Sequence, residues 1–233
     1  MNSKLVIVDS RCNKEIFNRL SDFSDNILPF RTQGVTYESI SCHPDIFIYQ
    51  DKEHLIIAPN APQPLFKELE KLNIAYQIGN APIGELLHDS CFYNCIATDS
   101  HLFHRQGFTD NIILRFNQQK KFVALPQSYT RCSMFALDSE HFITSDEGIN
   151  KALQKNGFHS FSFSPEEIKI AVHRNGFLGG TCGRLDNKIL FLGNPLAHPD
   201  GTRLCQFIEK NGLEVVSLSN GPLYDGGGLF FLS

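Results

Sequence analysis

Two cysteines and an arginine are placed in this sequence where they suggest covalent chemistry. Cys132 and Cys182 each stand at the start of a short apolar segment, and Arg131 precedes Cys132 directly. A neighbouring guanidinium favours the thiolate form of a cysteine, which is its nucleophilic form. Carboxylates that hold a guanidinium or amine through charge-assisted hydrogen bonds complete such a site. The candidates for this role are Asp45, Asp146 and Asp225.

Each of these residues also has a purely structural interpretation. Both thiols can pack the interior as small buried side chains. Asp45 follows His43-Pro44, so its carboxylate can hydrogen-bond its own backbone in a turn. Asp146 stands where a helix N-cap is expected. Asp225 precedes three glycines, which leave space for a ligand beside it. The residue types leave these alternatives open.

A zinc site is a further alternative. Cys91 and Cys95 are four residues apart, and His101 and His104 follow. Zinc sites normally show two ligand pairs with tighter spacing. The segment FYNCIA also reads as a strand, on which residues four apart lie too far apart for joint ligation. We therefore predict no metal ligands and no cofactor.

The composition limits the class of protein. The 233 residues are 42% hydrophobic and 20% charged, with a net charge of −4, which argues against a nucleic-acid partner. No apolar run approaches the roughly 18 residues of a membrane span, and no secretory signal is recognisable. Seven cysteines in a chain of this length are typical of reduced thiols. We expect a cytoplasmic protein with a small-molecule ligand and no membrane partner, whose oligomeric state is open.

The elements that must position these residues repeat along the chain. Arg131 to Phe163 reads as strand, strand, helix and strand, with Asp146 before the helix. The same order recurs at intervals of 41 to 50 residues, starting near Cys42, Cys91, Cys132, Cys182 and Gly226. The copy at Cys91 lacks a clear helix. The last copy has one strand only, and the first thirty residues supply the missing strand and helix. We therefore predict a closed ring of five α/β units that forms one domain over residues 1–233.

Three segments of this sequence, together with His43-Pro44-Asp45, resemble those of an uncharacterised bacterial family. They are PQSYTRCSMFALDSEHFITSDEG at 126–148, GFLGGTCG at 176–183 and LYDGGG at 223–228. That family is assigned to the fold of guanidino-group-modifying enzymes, the pentein fold. The resemblance implies a five-unit α/β propeller with pseudo-fivefold symmetry, closed by N- and C-terminal strands, around a central polar pocket.

The resemblance also implies what this chain lacks. Amidino hydrolases of the fold use a thiolate after a glycine pair near the C-terminus and a histidine from the preceding unit. Here the matching stretches read DGGGLFF at 225–231 and NGFLGG at 175–180, without Cys or His, although His173 is near. We predict an acidic, thiol-lined pocket for a small cation without the standard machinery. The alternatives are a thiol-dependent hydrolase or transferase of guanidino compounds using Cys132 or Cys182, and a non-catalytic protein- or ribosome-binding module.

Overall fold

Five three-stranded sheets contain all the strands found in residues 2–233, the part of the chain that the computed structural model describes. The strands are β1 (Leu5–Asp9), β2 (Ile27–Phe30), β3 (Ile48–Gln50), β4 (Leu55–Ile57), β5 (Gln77–Ile78), β6 (Ile96–Ala97), β7 (His101–His104), β8 (Lys121–Ala124), β9 (Met134–Ala136), β10 (His141–Thr144), β11 (His159–Ser162), β12 (Cys182–Leu185), β13 (Lys188–Phe191), β14 (Glu214–Ser217) and β15 (Phe230–Leu232). The helices are α1 (Lys14–Leu20), α2 (Gln63–Lys71), α3 (Asn111–Phe116), α4 (Thr130–Ser133), α5 (Glu147–Lys155) and α6 (Gly201–Lys210). None of the described helices is long and apolar enough to cross a membrane.

All five sheets have the same internal order. The middle strand pairs antiparallel with one neighbour and parallel with the other, as β4 does with β3 and β5. A parallel pair needs a crossover connection, and a helix supplies it in every unit. These helices are α1, α2, α3, α5 and α6. The unit predicted from the sequence is therefore the unit of the fold.

The ring closes through its two chain ends. β15 pairs antiparallel with β1, with Leu5 opposite Leu232 and Ile7 opposite Phe230, while β1 pairs in parallel with β2. The C-terminal strand is thus the first strand of the unit that the N-terminus begins. All residues of β1 and β15 are buried. The predicted pentein-like ring of five units, closed by terminal strands, is confirmed.

The unit that follows Cys91 differs from its prediction. It contains the helix α3, whose N-cap Asp110 accepts a hydrogen bond from the amide of Ile112. The segment FYNCIA is mostly a buried turn, and only Ile96 and Ala97 belong to a strand. The turn is stable because the carbonyl of Asn94 accepts hydrogen bonds from the amides of Thr130 and Arg131.

Candidate functional site

The segments that lead into the first strands of the five units contact one another. Equivalent backbone hydrogen bonds show which residues of two units correspond to each other. The amide of Ser145 donates to the carbonyl of Ser133, and the amide of Leu192 donates to the carbonyl of Thr181. Cys132 therefore corresponds to Gly180, and the expected equivalence of Cys132 and Cys182 is wrong by two residues.

His43, Asp45 and Cys132 form a buried cluster in this region. His43 precedes the 3-10 turn Pro44–Ile46 before β3, Asp45 lies within that turn, and Cys132 lies in α4 before β9. The Cys132 thiol donates to Oδ2 of Asp45 over 2.8 Å. Asn94 fixes the cysteine, because its Nδ2 lies 3.2 Å from Sγ and its Oδ1 accepts from the Cys132 amide over 3.1 Å. One donor atom each of His43, Asp45 and Cys132 lies within 4.8 Å of the other two.

His43 lies between two further carboxylates without a hydrogen bond to either. Its Nδ1 is 3.8 Å from Oδ1 of Asp225, and its Nε2 is 3.9 Å from Oδ2 of Asp9. Both ring nitrogens are buried without a hydrogen-bond partner, and so is Oδ1 of Asp45. Such atoms are costly in a folded protein and point to an absent partner.

Asp9 and Asp225 are held in different ways. Asp9 accepts hydrogen bonds from Arg11 and from the hydroxyl of Tyr224. Asp225 accepts only from backbone amides, from Phe177 over 2.8 Å and from Gly227 over 3.2 Å. Among residues 2–233, no lysine or arginine lies within ion-pair distance of Asp225.

Burial controls the protonation of the cluster. It raises the pKa of Asp45 to about 6 and that of Asp225 to about 7, since a charged carboxylate loses its hydration there. Burial also raises the pKa of the Cys132 thiol well above its ordinary value, and the negative charge of Asp45 adds to this. Burial lowers the pKa of His43 to about 3, so the imidazole is neutral. Without a bound cation, the Cys132 thiol therefore keeps its proton, and His43 carries no charge.

A cavity of about 580 Å³ opens onto the cluster. His43, Cys132 and Asp225 belong to its wall, while Asp45 lies against Cys132 outside the wall. The rest of the wall includes aromatic, aliphatic and cationic side chains. The aromatic ones are Tyr37, Tyr129 and Phe177, the aliphatic ones are Ile40 and Leu87, and the cations are Arg105 and Arg174. A concave, largely apolar site with a few converging polar groups is typical of a small-molecule pocket.

Gly227 allows the C-terminal segment to approach the cluster. Its φ is +69°, and a Cβ atom there would lie 2.5 Å from Cβ of His43 and 2.8 Å from Oδ1 of Asp45. Only glycine fits both the left-handed backbone and this contact. Gly227 is thus required by the packing of His43.

We expect Gly227→Ala to lower the free energy of unfolding by about 2–5 kcal/mol, which combines left-handed strain with overpacking. Gly34→Ala is the matched control, because Gly34 has the same φ of +69° and no atom within 4 Å of the added Cβ. The control should cost only the strain, about 1–2 kcal/mol. Urea denaturation of both variants measures the difference, and equal losses would show that the contact with His43 is unimportant.

Of the six candidate ligand-binding residues, Asp45, Cys132 and Asp225 lie together around His43. Cys182 is the first residue of β12 and packs in the hydrophobic core, and its nearest acceptors are the carbonyls of Leu178 and Gly179 at 3.9 Å. It does not belong to the cavity wall. With Ser133 aligned to Thr181, Cys182 corresponds to Met134 and not to Cys132. Cys182 therefore belongs to the strand and packs in the core.

Asp146 and Arg131 are engaged elsewhere. Asp146 is the N-cap of α5 and accepts from the amide of Ile149 over 2.8 Å. Arg131 donates to the carbonyls of Gly179 and Cys182 and lines a separate cavity of about 320 Å³. Ligand binding by these two residues and by Cys182 stays a prediction.

His43 is the residue of the cluster that the sequence analysis did not select. The available signal was its place in the tripeptide with Asp45, although His198-Pro199-Asp200 has the same form. His198 is satisfied, since its Nε2 contacts the carbonyl of Glu166 over 2.7 Å and its Nδ1 accepts from the Asp200 amide. His104, from the zinc alternative, is also satisfied by Thr109 and by the carbonyl of Ser128. Only the three-dimensional environment separates His43 from these histidines.

The sequence matches over residues 7–230 a group described as "Family of unknown function (DUF6873)". No curated protein matches the sequence. An agmatine deiminase from C. jejuni is similar in structure, with a TM-score of 0.60, 9% identity and coverage of 95% of this chain and 91% of that chain. An amidinotransferase from Microseira wollei has a TM-score of 0.59, 9% identity and coverage of 100% and 94%. DDAH from Pseudomonas aeruginosa, complexed with citrulline, has a TM-score of 0.51, 12% identity and coverage of 94% and 93%. At these identities the similarity establishes the fold alone.

Proposed function

Because the chain belongs to DUF6873, a family without a known function, we propose its function from the site itself: the central cavity binds a small cation that carries a guanidinium or amine group. The cation lies against Asp225, close to His43 and Cys132. This proposal concerns binding, and it does not require that a bond be broken.

The environment of Asp225 is the main support for this proposal. Its side chain is 1% exposed, it accepts hydrogen bonds from two backbone amides only, and it belongs to the wall of the cavity. A buried carboxylate is normally paired with a cation or neutralised. Since the described chain supplies no lysine or arginine partner, a cationic ligand is the group that Asp225 lacks.

The rest of the cavity fits the same ligand. A guanidinium offers five N–H donors, and the unpartnered Oδ1 of Asp45 and one nitrogen of neutral His43 are acceptors nearby. Tyr37, Tyr129 and Phe177 present aromatic surfaces for an alkyl stem and for cation–π contact. One structural neighbour is named an agmatine deiminase, and agmatine carries both a guanidinium and an amine group, which supports this ligand class.

Agmatine is a suitable probe, and isothermal titration calorimetry measures its binding. We expect Asp225→Asn to weaken binding at least about 30-fold, as expected when one partner of a buried charge pair is removed. Asp146→Asn is the control, because asparagine also caps a helix and Asp146 lies at α5. Thermal melting verifies that both variants fold. Equal affinity of Asp225→Asn and the unmodified chain would refute the role of Asp225.

A thiol-dependent reaction is the second candidate, favoured by Cys132 in the cavity wall beside His43. Two features favour binding instead. Burial raises the pKa of six of the seven cysteine thiols, those of Cys12, Cys91, Cys95, Cys132, Cys182 and Cys205. In addition, a nucleophile and an acid on opposite faces of a guanidinium carbon stand about 6–7 Å apart at reacting distances of about 3–3.5 Å each. The donor atoms of Cys132 and His43 are within 4.8 Å of each other, which is too close for this arrangement.

A further inference from the structure

We infer that His43, Asp45 and Cys132 form a binding site for a single divalent zinc ion. The three side chains offer one imidazole nitrogen, one carboxylate oxygen and one sulfur atom, and all these atoms lie within 4.8 Å of one another. This inference is tested separately from the proposed function, because zinc depends on the three-residue cluster, whereas the organic cation depends on Asp225 and uses His43 and Asp45 only as additional acceptors.

Unpartnered atoms point to an absent ion. His43 is 1% exposed and Asp45 is fully buried, yet both nitrogens of His43 and Oδ1 of Asp45 lack a hydrogen-bond partner. The other buried histidines of the described chain, His104 and His198, have a partner for each nitrogen. A bound metal ion satisfies one nitrogen of His43 by direct coordination and draws the carboxylate towards it.

The donor set selects the kind of ion. Zinc accepts sulfur, nitrogen and oxygen ligands at about 2.0–2.3 Å, so that tetrahedral ligands stand roughly 3.3–3.8 Å apart. The present donor atoms lie at most 4.8 Å apart, and Sγ of Cys132 is 2.8 Å from Oδ2 of Asp45, so the observed separations lie on both sides of these values. A thiolate ligand disfavours magnesium and calcium, which prefer oxygen ligands only.

Binding replaces a proton by the metal. The Cys132 thiol now donates to Asp45 over 2.8 Å. When Sγ binds zinc, the S–H bond breaks, the sulfur keeps its electron pair for the metal, and the proton leaves to solvent. Three protein ligands would leave a fourth position for water or another ligand, and Cys132 and His43 both belong to the cavity wall. Zinc with one position open to a cavity is accessible to an exchangeable ligand.

Titration of the metal-free protein with Zn²⁺ alone tests the site. We expect one equivalent to bind, and Co²⁺ in its place to give the thiolate-to-metal absorption of a cysteine ligand. Cys132→Ser and His43→Asn should each weaken binding at least about 100-fold, since even residues outside the ligand shell affect affinity by 10–100-fold. Cys182→Ser is the matched control, because Cys182 is a buried cysteine outside the cluster, and it should bind zinc as the unmodified chain does.

Crystals of the unmodified chain grown with Zn²⁺ give a test that needs no variant. Anomalous scattering at the zinc edge should place one ion at bonding distance, about 2.3 Å, from Sγ of Cys132. The inference is overturned if no equivalent binds, if Cys132→Ser binds zinc unchanged, or if the ion lies on other residues. Agmatine binding without zinc binding overturns this inference alone, whereas zinc binding without agmatine binding overturns only the proposed function.

Discussion

We expect deletion of Leu229–Ser233 to leave a chain that does not fold. The deleted segment contains β15, in which Phe230, Phe231 and Leu232 are all buried and pair with β1. Losing these side chains and buried Leu229 removes roughly 6–12 kcal/mol of burial free energy, at about 1.5–3 kcal/mol for each side chain. A typical domain is stable by only about 5–15 kcal/mol. The loss also exposes the edge of β1, whose residues are all buried in the closed ring.

Circular dichroism and urea denaturation measure this effect. The full chain should unfold in one cooperative transition, because we propose that residues 1–233 form one domain, and the truncated chain should show none. Deletion of Ser233 alone is the control, since that residue is exposed and lies beyond β15. A truncated chain with the same denaturation midpoint as the full chain would contradict the closure of the ring by β15.

The ring was predictable because its signals are local. Each unit carries its own apolar strands, turn residues and helix boundary, as Asp146 and the stop at Asn156-Gly157 show for α5. Repetition at similar spacing then added information that no single unit contains. The helix α3 escaped prediction because it is short, only six residues, with a single buried side chain, Ile113, and so lacks a clear apolar periodicity.

The site was less predictable because it depends on register and on distant contacts. The sequence placed Cys132 and Cys182 as equivalents, yet Cys132 lies in the helical turn α4 and Cys182 is already in a strand. Cys182 lies two residues further along its unit than Cys132 does. Because of this difference, the Cys132 thiol contacts Asp45, whereas the Cys182 thiol packs in the hydrophobic core. The importance of His43 arises from Asp9 and Asp225, which are far away in sequence and near only after the ring closes.

The second large effect is an absence of reaction: we expect no release of citrulline or urea from free arginine at an enzymatic rate. Amidino hydrolases of the fold need a thiolate and a general acid on opposite sides of the guanidinium carbon. The resemblance of the sequence implies that Leu229, Phe230 and Phe231, which are buried, occupy the matching C-terminal positions. It also implies that Phe177 and Leu178 stand where the histidine would be. Loss of proton transfer alone lowers a rate by roughly 10²–10⁴-fold.

A colorimetric assay for citrulline and urea, run with arginine, measures this expectation. Turnover on the order of 1 per second or faster would contradict it. Cys132→Ala then identifies the origin of the activity, and Cys182→Ala is its matched control. Activity that disappears only in Cys132→Ala would show that the nucleophile has moved to α4, where Asp45 accepts its proton and His43 lies beside it. Because Sγ of Cys132 now holds that proton against a buried carboxylate, we expect Cys132 to contribute to binding and not to attack.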